Sequence, residues 1–335
     1  KRIGNIMKPF RMERVVRVIE TLSDGQFHSG EELGMNLGVS RTAISQYIKD
    51  VQMLGLDVFR VTGKGYRLAA PVQLLELDKI QSHLQSNGQT STDISLERVV
   101  TSTNDTIKQA LKYGVHSGYA VLAEAQTQGR GRRGKRWLSP FASNLYMSMY
   151  WRLERGMVAA MGLSLVVGTI IGELLFDMGV YDVELKWPND VMINNKKIAG
   201  ILIELEGQAL DTAHVIIGVG LNVAIPPYLN DKIDQPWTDL NQVLSRAVDR
   251  NVVAAALITK TRVALEEYSE HGLTAFLARW SKFDRLAKKP VRIIMGQQVL
   301  DGIAEGIDET GALLVKRNGK LERFHAGEVS LRYDV

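Results

Sequence analysis

Nine residues, Gly129 to Trp137, read Gly-Arg-Gly-Arg-Arg-Gly-Lys-Arg-Trp and hold five cations and three glycines. Like charges this close repel one another, so the run calls for an anionic partner. Glycine lets backbone N–H groups come close to such a ligand. The segment therefore reads as a phosphate-handling loop. Two known phosphate patterns fit it by accident. Gly129, Gly131 and Gly134 satisfy G-x-G-x-x-G, while Gly129, Gly134 and Lys135 approach a P-loop, with Arg136 where a magnesium-binding Ser or Thr belongs. Both patterns require a helix directly afterwards. Here Trp137-Leu-Ser-Pro140 leads instead into alternating Leu145, Met147, Met149 and Trp151, a strand signal. The competing reading is a basic surface patch for nucleic acid.

Four further segments carry polar groups at places a ligand could reach. Thr101-Ser102-Thr103-Asn104 follows an apolar strand, Ile94 to Val100, and opens an amphipathic run through Ile107, Ala110 and Leu111. Its hydroxyls either cap that helix or face a small polar ligand. Gln126 ends a second strand, Tyr119 to Ala125, just before the basic loop. Lys186-Trp-Pro-Asn189-Asp190 lies between two short strands and reads as a tight turn. Lys197 enters the strand Ile198 to Leu205, where a solvated edge residue is the plain reading. Gly218 and Gly220 interrupt the strand that ends at Asn222, and glycine inside a strand often marks close approach of a ligand.

These residues need a scaffold, and the chain is long enough for two or three domains at 335 residues. Hydrophobic content of 45% and charged content of 23% are those of a soluble globular protein. The apolar stretch from Met157 to Met178 contains Glu173 and Asp177, so it reads as a buried core helix rather than a membrane span. Cysteine is absent, which excludes disulfides and thiolate metal sites, and the six histidines are too scattered for an H-x-x-x-H pair. No metal site of the protein's own is expected. With no signal-peptide pattern at the start, the expected home is the reducing cytoplasm. The charge is uneven: residues 1–75 carry eleven Lys/Arg against seven Asp/Glu, which is the whole of the net +4. A polyanion such as DNA should bind there.

The N-terminal quarter supports that. Met12, Val15, Val16, Ile19 and Leu22 share one helical face, and Ser29 with Glu32 forms a capping-box pattern for a second helix. After the Gly38-Val39 turn, Ser40 caps a third helix with Ile44, Tyr47, Ile48 and Val51 on one face. Ser40, Arg41, Thr42, Ser45, Gln46 and Lys49 are then placed for base edges and phosphates, the helix-turn-helix arrangement. Val58 to Leu68 reads as a hairpin with a Gly63-Lys64-Gly65 tip, a wing whose Lys64 can touch a phosphate. The competing reading is a small bundle that binds protein. Pro71 and the polar stretch Gln85 to Ser95 mark a boundary between about 72 and 95.

Taken in order, Thr101–Asn104, Gln126 with the basic loop, Lys186–Asp190, Lys197 with Gly200, and Gly218–Asn222 resemble the biotin–protein ligases. With the winged helix in front, the chain is similar to the bifunctional form that also represses the biotin operon. The resemblance implies an α+β multidomain protein: a winged helix-turn-helix domain at 1–75, a catalytic domain at 76–285, and an SH3-like barrel at 286–335. The catalytic domain would be a mixed sheet with helices on one face, related to class II aminoacyl-tRNA synthetases. Short runs at Val291–Met295, Val299–Ile303, Leu313–Lys316 and Leu321–His325, with an Asn318-Gly319 turn, agree with the last unit. Two helices, about 251–270 and 273–284, precede it.

The resemblance also implies a reaction. The biotin carboxylate attacks the α-phosphate of ATP, giving biotinyl-5′-AMP and pyrophosphate, and a lysine of a biotin carboxyl carrier protein then attacks the acyl carbon. Motif matching gives Ser102, Thr103, Asn104, Gln126, Gly129, Arg130, Gly131, Arg132, Lys197, Gly218 and Gly220 to biotin and its activated carboxyl. It gives Arg130, Arg132, Arg133, Arg136, Asn189, Asn222 and Trp237 to the nucleotide, with Mg²⁺ on the polyphosphate. Lys197 and Arg132 would stabilise the charge, and Asp190 would help deprotonate the acceptor lysine. The adenylate would act as corepressor by favouring a homodimer on operator DNA. Two other readings stand beside this one: a lipoate-attaching enzyme of the same fold, and a ligand-sensing repressor without ligase activity.

Overall fold

The computed structural model describes residues 9–332, except 91, 155–159, 161, 207–211 and 327–329. The Met157 start of the expected core helix lies outside the described residues. Apolar side chains at helical spacing build α1 (Pro9–Leu22), with Val15, Val16, Ile19 and Leu22 buried. α2 (Gly30–Leu37) starts at Ser29, whose hydroxyl accepts from the Glu32 N–H at 3.0 Å. The reciprocal half of the expected capping box is not made, because the Glu32 carboxylate turns to His28 Nδ1, 3.0 Å away. Gly38, at φ 63°, ends α2, and Ser40 caps α3 (Arg41–Met53) by accepting from Ala43 N–H at 3.2 Å. β1 (Val58–Val61) and β2 (Gly65–Leu68) pair antiparallel as the wing. The wing is tied back to the entry of α2 by reciprocal backbone bonds between His28 and Tyr66.

The catalytic unit follows α4 (Leu77–Ser86). Its elements run β3 (Ile94–Val100), α5 (Thr103–Leu111), β4 (Ala120–Gln126), β5 (Leu145–Leu153), α6 (Leu163–Asp177), β6 (Val183–Lys186), β7 (Asp190–Ile193), β8 (Lys196–Glu206) and β9 (Ala213–Leu221). Among the described residues these strands form one sheet, ordered β3-β4-β5-β9-β8-β7-β6, with only β3 and β4 parallel. α7 (Leu240–Leu244), α8 (Arg250–His271) and α9 (Leu277–Ser281) come next. Strand alternation divides the packing. Leu122, Met147, Met149, Ile217 and Val219 face the core shared with α6 and α8. Val121, Tyr150 and Ile216 face the other way and bury Ile107 of α5. Helices therefore cover both faces, where one was expected, and α5 brings the Ser102–Asn104 segment to the face opposite α6.

The second expected helix, 273–284, breaks into a 3₁₀ turn at Leu273–Phe276 and the short α9. Its tail is drawn off by the sheet: Leu185 N–H bonds Phe283 O at 2.7 Å, and Arg285 N–H bonds Leu185 O at 3.1 Å. The last unit is an antiparallel sheet of β10 (Pro290–Met295), β11 (Gln298–Ile307), β12 (Leu313–Arg317), β13 (Lys320–Phe324) and β14 (Ser330–Arg332), ordered β13-β12-β11-β10-β14. Val291, Ile293, Ala304, Leu313 and Val315 join the same apolar core as the central sheet. Trp187 Nε1–H also donates to Gly311 O at 3.0 Å across that junction.

The segment joining wing to sheet is clamped rather than loose. Fully buried Glu124 of β4 accepts from Leu75 N–H and lies 2.8 Å from Arg250, which is itself buried. Arg250 donates to the carbonyls of Gln73 and Asn144, and Asn251 accepts from Glu76 N–H at 2.8 Å. A buried charge must be paired, and here each is: Arg250 also has two carbonyl acceptors, and Glu124 Oε1 has the Leu75 N–H.

Candidate active site

Three elements converge on one trough. The first is the N-terminal end of α5. Ser102 occupies the N-cap position but makes no side-chain cap bond, so the capping reading of Thr101–Asn104 is not what the structure shows. The side chains instead build a polar wall. Thr103 N–H donates to Gln126 Oε1 at 2.9 Å, with Thr103 Oγ1 3.2 Å from the same oxygen, and Gln126 Nε2 donates to Ser139 at 3.0 Å. Ser148, wholly buried on β5, lies 2.7 Å from Thr103 Oγ1 and 2.5 Å from Asn104 Oδ1. Asn104 Nδ2 donates to Glu204 Oε2 at 2.6 Å.

The second element is the floor, where β8 and β9 pair Gly200 with Gly220. A Cβ on Gly218 would sit 2.5 Å from Asn104 Oδ1, and one on Gly220 would sit 2.5 Å from the Trp137 ring. The glycines thus leave room for Asn104 and the Trp137 ring to come directly against the strand. The Trp137 indole N–H is buried and has no hydrogen-bond partner among the described residues.

The third is cationic. Lys197 Nζ lies 2.7 Å from Asp190 Oδ1 and 5.3 Å from the centre of the Trp137 ring. Both members of the pair are largely buried. Arg132 Nη1 donates to Asn189 Oδ1 at 3.2 Å, and Nη2 donates to the carbonyl of Ala326 in the C-terminal unit. Burial pushes the Arg132 guanidinium below the usual arginine value, and neighbouring Arg133 adds to this against the pull of Asp190. The loop closes on itself through Gly131 N–H to Lys135 O at 2.7 Å and Trp137 N–H to Gly129 O at 2.9 Å. Arg133 takes the left-handed conformation at φ 56°.

Comparison with known proteins places this arrangement. Residues 96–222 match the biotin/lipoate A/B protein ligase family, 289–332 the biotin protein ligase C terminal domain, and 14–67 an HTH domain. The chain is 45% identical over 315 residues to the bifunctional ligase/repressor BirA of Salmonella typhimurium, covering 94% of this chain and 96% of that one. It is 43% identical over 317 residues to the protein of the same name from Escherichia coli, covering 95% and 97%. The chain belongs to the bifunctional ligase/repressor family. A solved biotin protein ligase from Aquifex aeolicus, in complex with biotin and ATP, superposes with a TM-score of 0.61 at 28% identity, covering 72% of this chain and 100% of that one.

This ligase/repressor is a protein ligase that carries a helix-turn-helix repressor domain. Of the residues expected at its ligase site, Thr103, Asn104, Gln126, Gly129, Arg132, Asn189, Asp190, Lys197, Gly218 and Gly220 come together around the trough. Arg130, also expected at the site, is paired with two acids. Its guanidinium is engaged by Asp105 at 2.6 Å and Glu204 at 3.0 Å, beside the loop stem. Hydrogen bonding to Asp105 holds Arg130 above the usual arginine value, and the same bond holds the Asp105 carboxyl below its ordinary one. Asn222 is nearly buried, and its amide donates to the carbonyls of Thr238 and Lys197. It therefore ties the Trp237 segment to β8, where Lys197 and Trp237 form a parallel bridge. Arg133 and Arg136 are exposed on the loop. Sequence reasoning left out Trp137, Ser148, Asp105 and Glu204. Only Trp137, which closes the basic run, had a local signal.

In the ligase/repressor's N-terminal domain, Arg41, Thr42, Gln46 and Lys49 are exposed on α3, with Ser45 half-buried, as the helix-turn-helix reading requires. The Ser40 hydroxyl is spent on the cap. Lys64 stands 6.0 Å from the Phe27 ring at the wing tip.

Proposed function

We propose that this protein joins biotin to ATP as biotinyl-5′-AMP with release of pyrophosphate, then passes the biotinyl group to a lysine of a carboxyl carrier protein. One observation carries the reading: Lys197 stands beside Gly200 and Asn104 of the polar wall lies against Gly218 of the same floor, while Arg132 reaches Asn189 in the turn that carries Asp190. A carboxylate is already ionised at neutral pH, so the first step needs no general base. It needs repelling anions neutralised and held in line. Lys197 supplies a compact cation beside the reacting carboxyl, oriented by Asp190. Arg132 supplies a planar fork for phosphate oxygens. The wall offers the mixed donors and acceptors that a ring urea needs. Trp137 adds an aromatic face and an indole N–H without a partner. Asp190 assists the acceptor lysine in the second step once Lys197 has turned to the anion.

Among the described residues no three His, Cys, Asp or Glu side chains group to hold a metal. We take Mg²⁺ to arrive on the triphosphate, since Mg²⁺ is commonly bound through substrate phosphates and one or two carboxylates. We read the chain as three domains, 1–75, 76–285 and 286–335, the central one akin to class II synthetases and the last an SH3-like barrel. The adenylate closes the basic loop, excludes water and favours a homodimer that presents two winged helices to a palindromic operator. Among the described residues no helix is long and apolar enough to cross a membrane.

The test is isotope exchange between ATP and pyrophosphate, run with biotin and with lipoate. Exchange dependent on biotin supports the assignment. Exchange driven by lipoate, or none with either acid, overturns it.

A further inference from the structure

The polar wall ends on a carboxylate to which neither motif nor mechanism has given a task. Glu204 on β8 accepts from Asn104 Nδ2 at 2.6 Å and faces Arg130 at 3.0 Å and Lys108 at 3.5 Å. The Thr103 backbone N–H, which only donates, sets Gln126 on its own. A carboxylate at neutral pH only accepts hydrogen bonds, whereas the Asn104 amide and the Ser148 and Thr103 hydroxyls can each be turned round. The end that cannot turn sets the direction of the rest. With Asn104 Nδ2 fixed on Glu204, Asn104 Oδ1 must point at Ser148, 2.5 Å away. The single Ser148 proton then goes to Asn104, leaving the Ser148 oxygen to accept from Thr103, 2.7 Å away. Thr103 N–H meanwhile keeps Gln126 Oε1 as its acceptor at 2.9 Å, which turns Gln126 Nε2 toward Ser139.

We propose that Glu204 is a specificity-determining positioning residue: it fixes which of Asn104, Ser148 and the Thr103 hydroxyl donate and which accept, and so selects a ring urea over isosteres with the opposite pattern. This rests on biotin being the ligand of the wall. Biotin's urea presents one acceptor and two donors, and 2-iminobiotin presents a donor in place of the carbonyl. Arg130 and Lys108 keep Glu204 paired, so the carboxylate is not left as an uncompensated charge.

The experiment measures KM for biotin and for 2-iminobiotin by pyrophosphate exchange on the full chain, with thermal midpoints taken in parallel. Glu204→Gln replaces the fixed acceptor by an amide that can turn. Its biotin KM should rise about tenfold, the scale of one hydrogen bond to a charged group. The preference for biotin over 2-iminobiotin should fall by a similar factor, with KM for ATP unmoved. Glu204→Asp should recover most of the preference. Ser148→Ala, which cuts the chain between Asn104 and Thr103, should lower it as well. Asp105→Asn loosens Arg130 but not the wall, so it should weaken both ligands equally. A Glu204→Gln protein, or a Ser148→Ala protein if the former does not fold, that keeps the wild-type preference overturns the proposal. A wild-type protein with no biotin-dependent exchange overturns instead the reading beneath it.

Discussion

Lys197 and Asp190 form an ion pair at 2.7 Å beside the irregularity in pairing between β7 and β8. Asp190 is the last residue of the Lys186–Asp190 turn and pairs with Gly200 of β8, while the Lys197 ammonium also stands 5.3 Å from the Trp137 ring centre. The Lys186–Asp190 turn and Lys197, joined by the β7–β8 hairpin, are thus one device, a cation held beside Gly200 by a carboxylate. Replacing Lys197 by Ala should lower adenylate formation by at least about 100-fold, the usual cost of removing one charge-stabilising group from an active site. Asp190→Asn should lower it less, because the ammonium remains. Pyrophosphate release in a single turnover measures both, and an unchanged rate in Lys197→Ala would contradict the role.

Arg132 is the hook between the basic loop and the C-terminal sheet, through Asn189 and the Ala326 carbonyl. Arg132→Gly should unhook the loop and remove a phosphate ligand, so that the adenylate escapes and acylates lysines at random. Labelling of an added bystander protein should rise several-fold. Tight retention of the intermediate with specific transfer would show that the loop has another task.

Arg250 and Glu124 are both buried, and between them they hold three backbone groups of the linker and loop. Removing Arg250 leaves buried Glu124, among the described residues, only the longer ion pair to Arg98, at 3.5 Å, and breaking such a buried pair costs about 3–5 kcal/mol. Arg250→Ala should therefore lower the denaturation midpoint strongly. A midpoint equal to the wild type would mean that water replaces the guanidinium without loss.

His28 lies between Glu32, 3.0 Å from Nδ1, and Asp24, 2.9 Å from Nε2, with Tyr66 of the wing bonded to its backbone. Burial opposes its charge, but the two carboxylates outweigh burial and raise its pKa above the ordinary value. A raised histidine pKa adds stability that is fully present below the unfolded value, about 6.5, and fades as pH rises through the folded value. Relative to His28→Gln, the wild type should resist urea more at pH 5.5 than at pH 8.5. The same advantage at both pH values would rule out a charged imidazole.

What the chain disclosed before folding followed from local physics. Helical and strand periodicity placed α1, α3, β3, β4 and the Lys186–Asp190 hairpin, because each is patterned by its own neighbours. The basic loop and the interrupted strand at Gly218 and Gly220 stood out because their composition conflicts with ordinary strand packing. The hidden parts depend on residues distant in sequence. Glu204 and Asp105 look like surface acids until Arg130 meets them, and Ser148 looks like one polar residue in an apolar strand. The early end of the second helix at Ser281 was invisible because Leu185, on β6, captures the Phe283 carbonyl. Arg130 drew notice for its charge alone, which could not show that acids already hold it.

The most direct measurement is a crystal structure with biotinyl-5′-AMP bound. Expected is the acyl phosphate beside Lys197 and Arg132, with the ring urea on the Thr103–Gln126–Asn104 wall and residues 129–137 folded over it. The compound lying elsewhere, with that loop turned to solvent, would contradict the central claim.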